Sequence, residues 1–256
     1  MNWKTFLALL SRDAHVARRN FVQLLAQNLI QPMMFVFVFG RVMTQSGFMQ
    51  EEYKSVLLPG IIAVSMMISG VQAVALPLIA EFQYTREIED RLLAPIRIEW
   101  VAFQKVLSGM IQAIVAGLVV IPLAWLVMGS GVDLRLDNLA VFALIALLVA
   151  LFSAAGGLTL GCSISAASIG LMFTLVVAPL IFFGCVYYPW SALETFPILQ
   201  KLVLINPLVY ASEGFRGTLV PQFPHLPIPG ILGALVVFNI LILRLGLRKF
   251  RGKAVG

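Results

Sequence analysis

Charge is what this chain has least of. Only 12% of its 256 residues are charged, and 60% are hydrophobic. A soluble domain carries about 25% charged residues. With a mean hydropathy of +0.96, this is the composition of an integral membrane protein, and the length suits one membrane domain over 1–256. Histidine is nearly missing: His15 and His225 are the only two, which excludes a His-rich metal site and any H-E-x-x-H motif. Two cysteines, Cys162 and Cys185, build no disulfide framework. No G-x-x-x-x-G-K-[ST] occurs, so the chain has no P-loop of its own. No G-x-S-x-G occurs either; GLTLG at 157–161 has threonine at its centre and sits in an apolar run. The N-terminus does not read as a secretory signal, because the run Phe6–Leu10 is short and Arg12 and Asp13 follow it.

Long apolar runs are what the chain does have. A hydrocarbon layer of about 30 Å takes roughly 20 apolar residues as a helix. Six segments meet that length, at about 21–40, 57–80, 101–128, 139–162, 168–188 and 228–247. The expected fold is therefore all-α with six transmembrane helices. Thirteen of the 18 Lys and Arg residues fall on one side if the N-terminus is inside, and five on the other. The positive-inside bias then predicts both termini in the cytoplasm. The net charge of +6 lies beside the spans, which suits anionic headgroups and argues against nucleic acid. Residues 1–20 read as an interfacial amphipathic helix, with a simple positive anchor as the alternative.

The charge that exists is concentrated. Residues 81–99, EFQYTREIEDRLLAPIRIE, hold five of the twelve acidic residues. The orientation puts them in the cytoplasm. Thr85 is a plausible N-cap and Pro95 ends or bends the helix. Glu87 and Arg91 form an i, i+4 pair, and Ile88, Leu92 and Leu93 give an apolar edge. The segment reads as a surface that grips a partner; a solvated loop is the alternative.

Polar residues inside spans come next. Gln23, Gln27 and Gln31 recur every four residues with Asn28 beside them, and Ser65, Ser69 and Gln72 recur in the second span. They either line a path for a partly polar substrate or bond helices together. Ser153, Gly157, Gly161 and Ser165, and likewise Gly109, Ala113 and Gly117, read as small-residue packing stripes. Residues 189–227 are too apolar for a plain loop and too broken to span, so they read as two re-entrant or interfacial helices, against an ordinary external loop. Within them Glu213 and Arg216 could pair as part of an outer gate, or form a surface pair of little worth.

The order of these features resembles the ABC-2 type permeases, the membrane subunits of bacterial drug, polysaccharide and lipid exporters. The specific pieces are Glu89 to Ile96 (EDRLLAPI) and the series Tyr188, Pro189, Asn206, Pro207, Leu208, Tyr210, Gly214, Phe215 and Arg216. The daunorubicin-resistance type is the nearest subgroup. The resemblance implies a multi-pass protein of the bacterial inner membrane that is not itself an enzyme. It implies a second permease, as a homodimer or with a similar chain, and two copies of a separate ATPase that hold ATP and Mg. Arg86, Glu87, Glu89, Asp90, Arg91 and Leu92 would form a coupling helix for that ATPase. The translocation path would run past Gln27, Asn28, Gln31, Ser65, Ser69 and Gln72, capped outside by the re-entrant helices with Glu213 and Arg216.

The rival reading is an ion-coupled secondary transporter or channel with two three-helix halves. LPLI at 76–79 and APLI at 178–181 place a proline in the second helix of each half. Against it, ionisable residues are missing from the span centres.

Overall fold

The computed structural model describes residues 11–12, 30, 32–85, 98–129, 134–135 and 137–255. The described residues are helices and their connections, with no strand among them. Among the described residues, four helices are long and apolar enough to cross a membrane: Tyr53–Gln83, Ile98–Met128, Leu139–Ser163 and Ile228–Ala254. The interfacial helix expected at 1–20, apart from residues 11–12, lies outside the described residues, as does the core of the charged segment at 86–97.

We number the helices in chain order. Helix α1 covers 32–45, α2 Tyr53–Gln83, α3 Ile98–Met128 and α4 Leu139–Ser163. Helix α5 is the shorter Ala166–Phe182. Then come α6, Pro197–Leu202, and α7, Pro207–Leu219, and finally α8, Ile228–Val255.

Helix α2 is the centre. Within the chain, 78% of its most apolar window is buried, against 28% for α3, 39% for α4 and 22% for α8. It packs chiefly on α4 and α3, then on α7, while α8 packs on the other side of α4. The outward apolar faces of α3, α4 and α8 are the ones available to lipid. Small residues allow the close approach. A Cβ at Gly157 of α4 would meet the Val71 carbonyl of α2 at 2.6 Å, so only glycine lets these backbones touch. Ser165 does not extend that stripe. Helix α4 ends at Ser163, and Ser165 is exposed in the next turn.

Two helices differ from their expected form. The fifth segment is no uniform span over 168–188. It is a mixed helix with a 3-10 turn, Ala166–Ser168, and a π-turn, Phe173–Val177, and it stops at Phe182. Pro179 has no N–H to give the carbonyl four residues back, so a regular ladder is already interrupted there. Helix α2, by contrast, runs unbroken through Pro59 and Pro77. The proline pair of the rival two-half reading therefore sits in one continuous and one broken helix. Helix α8 is longer than expected and carries its basic residues into its last turns, where cations oppose the helix dipole favourably. Its Phe250 is buried against Phe82, and Lys253 Nζ lies 4.9 Å from the Phe82 ring centroid.

Candidate functional site

Three groups of polar residues are spaced along α2. The first is at its Tyr53 end. Helix α7 starts where Pro207 supplies a pre-set N1 residue and the Asn206 side chain accepts from Leu208 N at 3.0 Å. The same side chain donates to Leu180 O at 2.7 Å, which ties α7 to α5. About two turns on, Glu213 and Arg216 face inward, and neither is exposed at all. Arg216 Nη1 donates to Glu213 Oε1, and Nη2 donates to the carbonyls of Val56 at 3.3 Å and Cys185 at 3.1 Å. Glu213 in turn accepts from Trp190 N at 2.9 Å and Leu226 N at 3.0 Å. One ion pair thus holds α2, the turn after α5, the 3-10 turn Trp190–Leu193 and the lead-in to α8. Burial pushes the Arg216 guanidinium below the ordinary arginine range, and the Glu213 carboxylate pushes back. The expected pairing of these two residues is present, but the surface-pair alternative is wrong.

Neighbouring contacts tighten the same end. Tyr53 Oη donates to Tyr187 O at 2.7 Å. A Cβ at Gly60 would lie 1.9 Å from Val186 O, so α2 runs directly against this turn. Cys185 has φ 51, in the left-handed region that favours glycine. That conformation aims the Cys185 carbonyl at Arg216. Both cysteines are free and buried.

The second group is a cavity of about 130 Å³ between α1, α2 and α5. Phe35, Ile68, Phe173, Phe182 and Tyr187 line it, with Gln72 as its one amide. Of the residues expected along a path, Gln72 is there. Ser65 and Ser69 are buried elsewhere on α2, and Ser69 Oγ donates to Gln112 O of α3 at 3.4 Å. Gln27, Asn28 and Gln31 lie outside the described residues.

The third group is at the Gln83 end. Lys105 Nζ donates to Glu81 Oε1 at 2.6 Å, joining α2 to α3, and both residues are buried. Glu81 thus leaves the exposed island to which its position in sequence assigned it. Gln83 Nε2 donates to Ile164 O at 3.2 Å, and Ala166 N donates to Gln83 Oε1 at 2.8 Å, which latches α2 to the start of α5. Sequence reasoning missed this latch and the Lys105 partner. The available signal was a lysine seven residues inside an apolar helix, which demands a counter-charge. Arg86, Glu87, Glu89, Asp90, Arg91 and Leu92 lie outside the described residues. No cluster of three or more His, Cys, Asp or Glu residues suits a metal ion among the described residues.

Comparison with known proteins follows the same pattern. The model of the family described as ABC-2 type transporter matches residues 4–220. The inner membrane transport permease YadH of Escherichia coli (strain K12) is 28% identical over 245 residues, covering 93% of this chain and 91% of that protein. The permease of the same name from Shigella flexneri matches to the same extent.

Proposed function

The chain belongs to the ABC-2 type transporter family as the membrane subunit of an ABC transporter, and from that premise we propose an ATP-driven exporter permease. The substrate is hydrophobic or amphipathic, of the drug, lipid or polysaccharide class. Two copies of a separate ATPase subunit bind ATP and Mg, and a second copy of this chain completes the path. The assembly sits in a bacterial inner membrane with both termini in the cytoplasm.

The observation that carries this reading is the Gln83 end of α2. The segment at 86–97 connects α2 and α3. Just before it, α2 is bonded to α3 through Glu81 and Lys105, and to the start of α5 through Gln83. A push on that segment meets a helix end that is bonded to α3 and to the start of α5. Arg86, Glu87, Glu89, Asp90, Arg91 and Leu92 receive the push from the ATPase. Nucleotide shifts the permease between states only through contacts that differ between them, and the ionic side chains of this segment supply those. The path runs along Gln27, Asn28, Gln31 and Gln72, with Ser65 and Ser69 behind it. The Glu213–Arg216 pair anchors the outer gate.

The test is the triple variant Glu87→Ala, Glu89→Ala, Asp90→Ala in proteoliposomes with the partner ATPase. The expected result is ATP hydrolysis without transport. Export at the parent rate would refute the coupling role.

A further inference from the structure

We infer that the exposed face at the Lys253 end of α8 is a binding site for an anionic phospholipid, with the acyl chains on Val237, Ile240 and Leu241 and the headgroup phosphate on Arg244, Arg248 and Arg251.

The first observation is a stripe of two characters on one face. Arg244, Arg248 and Arg251 are spaced i, i+4 and i+7, so they lie one above the other. In the two turns before them the same face carries Val237, Ile240 and Leu241. All six side chains are exposed. An oily strip that runs straight into a basic one matches a phospholipid lying along the helix.

The second observation is that this face is fixed outward. Leu247, Phe250 and Ala254 pack into one cluster with residues of α2, α3 and α4. Nearer the middle of α8, Asn239 Nδ2 donates to Leu148 O of α4 at 3.0 Å. A Cβ at Gly246 would lie 2.9 Å from Thr159 Oγ1, so the two helices touch there as well. Helix α8 cannot turn the stripe inward without losing these contacts.

The third observation is positive charge without compensation. No Asp or Glu occurs within 214–256, and none of the three arginines forms an ion pair with a described residue. Neighbouring guanidiniums repel, and a phosphate is the acceptor whose geometry fits their forks.

Depth favours a lipid over a soluble protein as the source of that phosphate or of any other anion. The apolar run of α8 covers 228–247, roughly the 20 residues that a hydrocarbon layer of about 30 Å takes. Arg244 is in the last turn of that run, so its guanidinium must reach up to headgroup level. A lipid whose chains lie on Val237 and Leu241 brings its phosphate to that level on this face. A soluble partner approaching from the water meets Arg251 first and Arg244 last. Which leaflet this is rests on the orientation proposed above; the site itself does not.

The purified full-length protein in detergent is titrated with dioleoyl phosphatidylglycerol or dioleoyl phosphatidylcholine, which differ in headgroup charge and not in chains. Bound lipid is counted by native mass spectrometry. Phosphatidylglycerol should bind roughly a hundredfold tighter, about fivefold for each of three cations, and the advantage should shrink as salt rises. The variant Arg244→Gln, Arg248→Gln, Arg251→Gln should lose that advantage while its phosphatidylcholine binding and Tm stay at the parent values, which shows that it is folded. The variant Arg41→Gln, Arg135→Gln, Lys201→Gln removes as much charge elsewhere and should bind phosphatidylglycerol like the parent. Three results would overturn the inference. One is a parent that binds both lipids alike. Another is an α8 variant that binds phosphatidylglycerol like the parent; if it also no longer co-purifies with the ATPase, this face belongs to the ATPase. The third is an equal loss in both variants, which means net charge and not a site attracts the lipid. No ATP or partner subunit enters the binding measurement, so its failure leaves the exporter reading standing.

Discussion

At the Tyr53 end of α2 a guanidinium is wrapped by a carboxylate and by backbone carbonyls from two segments; at the Gln83 end an ammonium meets a carboxylate of the next helix. The two charged sites, marked by Val56 and Glu81, are 25 residues apart, or about 38 Å along α2. The first pair is local in sequence, three residues apart, but its other contacts are long-range backbone groups that cannot rotate away. The second pair is 24 residues apart and is made by two flexible side chains. Beside it the Gln83 latch is exposed and can exchange its bonds with water. The difference teaches a division of labour. One end is fixed by groups that have no alternative partners, and the other is held by groups that can let go and re-form.

The sharpest way to break this contrast is Arg216→Ala. Removing one partner of a fully buried pair strands the other charge, at a cost of about 3–5 kcal/mol. The variant should fail to give monodisperse protein in size-exclusion chromatography. Arg216→Lys should rescue little, because a single ammonium cannot reproduce the fork that reaches both carbonyls. Next comes Gly60→Ala. Its methyl group must displace the Val186 backbone, and overpacking of this kind costs about 1–3 kcal/mol, read as a lower Tm. At the other end, Lys105→Ala should cost about 2 kcal/mol, the range for a hydrogen bond to a charged group. Exchanging the pair, Glu81→Lys with Lys105→Glu, should recover part of the lost Tm. The smallest effect on stability belongs to Gln83→Ala, at about 1 kcal/mol. It should nonetheless reduce ATP-driven transport severalfold while hydrolysis continues. If Gln83→Ala and the parent transport alike, the Gln83 end is merely structural and the division of labour fails.

Much of the frame was legible in the sequence, because apolar length alone defines a helix that must cross oil. That argument locates α2, α3, α4 and the first part of α8. It fails at α5 for a physical reason. Phe, Leu, Val and Ile fill 169–183 as evenly as any span, and hydropathy reports affinity for lipid and not hydrogen-bond register. The candidate sites were legible in proportion to how local they are. The spacing of Glu213 and Arg216 gave the pair, but its burial comes from Val56, Cys185, Trp190 and Leu226, distant in sequence. Glu81 was grouped with its charged neighbours because its true partner is 24 residues away. Gln72 was visible as a polar residue in a span; the aromatic walls near it come from α1, α5 and the turn after α5.

The π-turn in α5 has one more consequence, for how relatives are aligned. A π-turn holds one residue more than the α-helix it interrupts. In an α-helix each residue advances the phase by about 100°. A related chain lacking a single residue within 173–177 would close this turn to a regular α-turn, and Ala178 to Phe182 would keep their direction relative to Phe173. The missing residue therefore belongs inside this helix in an alignment, and not in the loops on either side of it. Relatives that lack it would present the same side chains to α2 with one residue fewer.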